Sequence, residues 1–183
     1  MKARLEPKPP GVHTRPMTDE VDQLVAAWTR ERPDMDFSPL HVLSRVGRLS
    51  RLLDRARSAA FAPLELGLWE FDVLASLRRS GAPFEMAAGA VTRDTLVTSG
   101  TMTNRIDRLA GRGLVERRQD PDDGRGVLVR LTETGRALVD AALTNLLDNE
   151  RPLLAPLSRA QQDQLAGALR LLLTPLDGTE PRG

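Results

Sequence analysis

The most constraining feature of this chain is the stretch from Leu66 to Thr132, where two helical apolar patterns are followed by two short alternating segments. The first run, Leu66-Gly67-Leu68-Trp69-Glu70-Phe71-Asp72-Val73-Leu74, spaces its apolar residues for a helix and ends at a Gly/Pro break. The second reads Thr98-Ser99-Gly100-Thr101-Met102-Thr103-Asn104-Arg105-Ile106-Asp107-Arg108-Leu109. Behind it come Gly113-Leu114-Val115-Glu116-Arg117-Arg118 and Val127-Leu128-Val129-Arg130-Leu131-Thr132, joined by Asp120-Pro121-Asp122-Asp123-Gly124-Arg125-Gly126. These predict two strands closed by an Asp/Gly-rich turn that carries an arginine. Helix, turn, polar-faced helix and a β-ribbon with a basic tip are the parts of a winged helix-turn-helix, whose expected partner is double-stranded DNA.

The second helix carries that expectation. An α-helix advances roughly 100° per residue, so a wheel centred on Met102 places Thr98, Ile106 and Leu109 within about 40° of it. Gly100, Asn104, Asp107 and Gly111 fall on the far side, flanked by Thr103 and Arg108. The exposed face is therefore small and polar, as close approach to base edges or phosphates in a major groove requires. Thr98, Ser99, Gly100, Thr101, Thr103, Asn104 and Arg108 are the candidate DNA-reading residues, with Arg125 at the wing tip for the minor groove or its phosphates. On this helix alone, threonines and serines that merely cap and solvate a surface helix fit as well. The strand and wing that follow favour DNA.

Composition narrows the field. Net charge is +1, so any DNA surface is a local patch rather than a global field. There are no cysteines, which excludes thiol redox sensing and disulfides and argues against structural zinc. With two histidines (His13 and His41), no Gly-rich phosphate loop and no metal-ligand spacing, an enzyme is not expected, and neither is a cofactor or metal. No apolar run approaches a membrane span, and the N-terminus lacks an apolar signal core, so a cytoplasmic protein is expected.

The pattern divides the chain into a disordered tail over 1–17, an added N-terminal helix and a first dimerisation helix over 18–65, the winged unit over 66–132, C-terminal dimerisation helices over 133–175 and a frayed tail over 176–183. The first helix is read as capped by the hydroxyl of Thr18, with Val21, Leu24, Val25 and Trp28 as its stripe and Pro33 as its stop. Ser38-Pro39 opens the next, which runs to about Phe61; its arginines, Arg45, Arg48, Arg51, Arg55 and Arg57, read as a solvated or rim face. A helix over 134–149 carries Leu138, Ala141, Ala142 and Leu146, and Ser158 with Gln161 forms a capping box for a last one. These outer helices have more apolar stripe than a small winged unit can cover. The economical solution is a symmetric dimer, against an all-helical monomer that pattern alone leaves open. The fold class is mainly α (α+β), a winged helix-turn-helix with N- and C-terminal dimerisation helices.

Leu66 to Leu143 resembles the MarR family of bacterial regulators, most of all in Asn104-Arg105-Ile106-Asp107-Arg108-Leu109, Gly113-Leu114-Val115-Glu116-Arg117-Arg118, Asp120-x-x-Asp123-Gly124-Arg125 and Leu131-Thr132-x-x-Gly135. The resemblance implies a homodimer that binds palindromic operators, usually as a repressor, and in many members leaves DNA on binding a small ligand. A narrower resemblance, in 28–36, 70–83 and 95–105, is to the PecS-like or TamR-like branch with an added N-terminal helix. Urate and, in the TamR-like case, trans-aconitate are ligands there. By motif, that branch's ligand positions fall on Trp28, Asp72, Arg105 and Arg117. The surrounding Arg93-Asp94-Thr95 and Gly124-Arg125-Gly126 depart from the pattern, so urate and a tricarboxylate such as trans-aconitate or citrate both stay open.

The wheel adds one point of its own. Arg105 lies about 60° from Met102, at the interior edge rather than on the groove face. An arginine there either meets an anion or pairs with a buried acid, and Asp72, on an otherwise apolar helix, is the expected partner. A purely structural Asp72–Arg105 bridge without a ligand is the alternative. A ligand-independent architectural or protein-interaction winged helix is the competing function.

Overall fold

Residues 18–121 and 126–175 are described by the computed structural model of the chain, which separates into two units, 1–52 and 53–183. The expected terminal tails and the wing-tip residues 122–125 lie outside the described residues.

In the first unit, α1 (Glu20–Glu31) starts one residue later than the hydroxyl-cap reading predicts. The Asp19 carboxylate, rather than Thr18, accepts the N–H groups of Val21 and Asp22 at 2.9 and 3.1 Å, and Asp22 accepts the Asp19 N–H in return at 3.0 Å. A carboxylate offers the same cap as a hydroxyl and adds charge complementary to the helix N-terminus. Val21 and Val25 are buried, whereas Leu24 and Trp28 are 43% and 50% exposed. The capping acids have a second use. Both grip Arg45 of α2 (Ser38–Phe61), Asp19 at 2.8 and 2.9 Å and Asp22 at 2.7 Å, and Arg48 pairs with Glu20. Two of the arginines read as a solvated face therefore fasten α1. Leu43, Val46, Leu49 and Leu52 on α2 remain exposed.

The second unit begins with the last turns of α2 and a short 3-10 turn (Ala62–Leu64). There follow α3 (Leu68–Arg79), β1 (Glu85–Ala87), α4 (Ala88–Asp94), α5 (Ser99–Gly111), β2 (Val115–Gln119), β3 (Val127–Leu131), α6 (Glu133–Glu150) and, after another 3-10 turn, α7 (Arg159–Leu173). The sheet is antiparallel in the order β1-β3-β2, with Glu85 opposite Arg130 and Arg130 opposite Glu116. The fold is thus mainly helical with a small sheet, as expected, but β1 and α4 are additions to the sequence reading. The helix ahead of α5 in the helix-turn-helix is α4, not the Leu66–Leu74 helix, and the Thr95–Thr98 turn joins them.

One core serves the elements from the end of α2 to α6. Phe61 stacks on Phe71 at 4.5 Å, and around them pack Val73, Leu74, Leu77, Val91, Met102, Ile106, Leu109, Val129 and Val139. The apolar residues of the predicted stripe of α5, Met102, Ile106 and Leu109, are buried, whereas Thr98, which the wheel places beside them, is the exposed cap. Two glycines shape its exit. Gly113 takes φ 68° and donates to the Ala110 carbonyl, while Leu114 donates to that of Leu109, so the helix closes through a left-handed residue. Gly135, in the first turn of α6, lies so close to Leu114 that a Cβ would overlap its carbonyl oxygen.

The two last helices differ in their fit. In α6, capped by Thr132 at the Gly135 N–H, the buried residues are Gly135, Val139, Ala142 and Leu146, whereas Ala141, expected on the stripe, is exposed. In α7, Ser158 and Gln161 form the predicted capping box, but no residue of the helix is buried. Among the described residues, no helix is long and apolar enough to cross a membrane.

Candidate nucleic-acid interface

Thr98 caps α5: its hydroxyl accepts the Thr101 N–H at 3.4 Å and donates to the Thr101 hydroxyl at 2.9 Å. The Thr103 hydroxyl donates back to the Ser99 carbonyl at 3.2 Å. Thr98, Ser99, Gly100, Thr101, Thr103, Asn104 and Arg108 are all exposed, and nothing stands within 4 Å of where a Cβ on Gly100 would be. The resulting surface is low, hydroxyl-bearing and unobstructed. Side chains of this size allow a helix to settle into a major groove and bond base edges or phosphates.

Beside this face stand arginines in two different states. Arg117, at the start of the wing, forms an ion pair with Asp107 of α5, tying wing to helix. Arg118 grips both oxygens of Glu85 at 2.6 Å, and this hydrogen bonding holds the Glu85 carboxyl below its ordinary pKa. Arg105 and Arg108 form no ion pair among the described residues. Their guanidinium carbons lie 5.3 and 5.7 Å from the centre of the same ring, the indole of Trp69.

The expected Asp72–Arg105 bridge is therefore absent from the described residues. Asp72 is exposed and needs no buried partner; it edges a shallow depression of about 170 Å³ with Arg79, Asp94, Thr95 and Leu96. Within it Arg79 meets Asp94 at 2.9 Å. A hydrogen bond from Ser76 and, after it, one from Arg79 hold the Asp94 carboxyl below its ordinary pKa against partial burial. The buried acid of α3 is its neighbour two positions earlier. Glu70, 8% exposed, accepts the Gly67 N–H at 2.8 Å and the Arg112 guanidinium at 2.8 Å, while Arg112 also donates to the Glu65 carbonyl at 3.0 Å. This strut joins the start of α3 to the end of α5. The Gly67-x-x-Glu70 spacing, that of a capping pair, was the local signal for it.

Arg105 is half-buried at the inner edge of α5, as its wheel angle predicts, and Arg117 is engaged by Asp107. Trp28, in the first unit, is half-exposed and stacks on Phe37 at 6.2 Å. Arg125 lies outside the described residues. Among those described, no three potential metal ligands cluster.

A helix-turn-helix that presents an open polar face, with a two-stranded wing tied to its second helix, is a winged-helix DNA-binding fold. Known proteins make the assignment specific. The family model described as "MarR family" matches residues 64–126. The transcriptional regulator PecS of Dickeya dadantii is 36% identical over 150 residues, 82% of this chain and 90% of that protein. A mutant of MarR from Escherichia coli complexed with operator DNA aligns with a TM-score of 0.65 and 27% identity, covering 76% of this chain and 99% of the other. Bordetella bronchiseptica BpsR, solved in a study of its regulation by 6-hydroxynicotinic acid, aligns with a TM-score of 0.65 and 26% identity over 76% and 97%. The chain belongs to the MarR family: it is a DNA-binding transcriptional regulator, not an enzyme.

Proposed function

We propose that the chain acts as a homodimeric repressor in the cytoplasm, released from a pseudo-palindromic operator by a small anionic metabolite. The observation that carries the effector half is Arg105, which is half-buried at the inner edge of the recognition helix with an indole beneath it and, among the described residues, no carboxylate against it. A guanidinium in that state retains its bidentate donors for an anion, and an adjacent ring favours a flat one. Arg117 is the second candidate donor, and taking it would strip Asp107 of its counter-charge on the helix that reads DNA. Urate fits this chemistry, as does a tricarboxylate such as trans-aconitate or citrate. The regulation of BpsR by 6-hydroxynicotinic acid, a ring bearing a carboxyl group, supports an effector of that kind.

In the dimer, two α5 helices would read half-sites about one helical turn apart, with Arg125 at each wing tip on the minor groove. The half-exposed leucines of α7, Leu165 and Leu172, supply apolar surface for the second copy. An anion that favours the DNA-incompetent arrangement lowers operator affinity, and linkage requires the operator to lower anion affinity by the same factor. The test is calorimetry of the free and operator-bound chain with urate, trans-aconitate and citrate, together with operator release by each. Arg105→Ala and Arg117→Ala should lose the heat and the release; the resemblance adds Trp28→Phe and Asp72→Asn to that set. No heat and no release with any of the three anions would sink the effector reading and leave DNA binding intact.

A further inference from the structure

Around the reading head, charge is mostly cancelled. Arg78, Arg79, Arg112, Arg117, Arg118 and Arg136 each meet a carboxylate. Arg105 and Arg108 meet none among the described residues, and they are three positions apart on α5, which puts them roughly 60° apart on one flank of the helix. Both guanidiniums lie over the same indole, at 5.3 and 5.7 Å. Trp69 is itself a fixed support: it sits in the first turn of α3, half-buried and packed against the core.

A carboxylate would order these side chains by neutralising them. An aromatic face attracts the cation through its quadrupole and leaves the charge in place. The indole thus assembles side by side two guanidiniums that no carboxylate among the described residues neutralises, next to the exposed face of the recognition helix. Such a pair suits an anion that offers several oxygens in a row, and along the rim of a groove that anion is the phosphodiester backbone. We propose that Trp69 is a positioning residue for DNA binding, holding Arg105 and Arg108 together as a two-pronged clamp on backbone phosphate. The inference rests on DNA binding and not on the effector, although an anion that took Arg105 would remove one prong.

The experiment uses the full-length chain and a duplex that it recovers from a randomised pool, with affinity measured across a salt series. Trp69→Leu should bind about tenfold more weakly, with the salt dependence flattened by about one unit of slope, because a phosphate contact is lost. Trp69→Phe keeps a ring and should stay within about threefold of the parent. The order of preference among single-base variants of the duplex should not change, since phosphate contacts carry no sequence information. On a Trp28→Phe background Trp69 is the only indole, and its emission should shift as the duplex saturates the protein. Wild-type affinity and slope in Trp69→Leu would overturn the proposal. So would equal losses in the Phe and Leu variants at unchanged slope, the mark of packing alone, or an emission indifferent to duplex. Should Trp69→Leu fail to fold, the Phe variant and the emission decide. A parent chain that recovers no duplex fails for a different reason, the loss of DNA binding itself.

Discussion

α5 and α7 are helices of 13 and 15 residues, each with an apolar stripe and a side-chain cap, yet one is closed and the other open. α5 buries Met102, Ile106 and Leu109 within its own chain, whereas α7 buries nothing and leaves Leu165 40% and Leu172 48% exposed. Periodicity tells that a helix has a face to cover. It does not tell whose surface covers it. In the proposed function, the closed helix is the one that holds its angle against DNA, and the open one is completed by a second copy.

The contrast is sharpest at Leu109, which is fully buried. Leu109→Ala should lower unfolding free energy by about 3 kcal/mol, from lost transfer energy and the cavity left behind, as read by urea denaturation. A loss below about 1 kcal/mol would mean that α5 is no better seated than α7. The paired change Leu165→Glu with Leu172→Glu should act in the other direction. Sedimentation should shift to the monomer and operator affinity should fall about thirtyfold, while the helical signal persists, because the proposed dimer's hold on two half-sites is lost. A double variant still dimeric at working concentration would break the comparison.

The smallest effect concerns a helix fastened by charge. The Asp19 carboxyl is held below its ordinary pKa chiefly by hydrogen bonds from Arg45, and that of Asp22 by the Asp19 N–H and then Arg45. Groups with lowered folded values stabilise fully above the unfolded value of 3.8, and the contribution is lost as pH falls through the folded ones. In a Trp69→Phe chain, Trp28 emission should therefore hold through mild acid and change only below 3.8, and Arg45→Met should weaken that dependence. A change complete while the pH is still above 3.8 would show that another group fastens α1.

Which features could be read in advance follows from how local their causes are. The stripe of α5 and the Ser158–Gln161 box are settled within a few residues, and both were legible. β1 was not: Glu85-Met86-Ala87 has no pattern of its own and is a strand because β3, more than 40 residues later, offers it an edge. α4, seven residues of largely small side chains, has too little periodicity to announce itself. The choice between Glu70 and Asp72 as the buried acid turns on Arg112, which reaches Glu70 across 42 residues. Likewise the wheel placed Arg105 at the inner edge but could not say that an indole waits there. Angles belong to one helix, whereas partners come from two.

The contact between Gly135 and Leu114 has a mechanical meaning. The Leu114 carbonyl accepts the Thr132 N–H at 3.2 Å and lies directly under Gly135, with no side chain between the two backbones. Leu114 follows closely on the end of α5, and Gly135 is in the first turn of α6. A joint made of two backbones has no rotamer to absorb displacement, so it behaves as a gear tooth rather than a cushion. Any tilt imposed on the first turn of α6 from its far end must arrive at the foot of the recognition helix undamped.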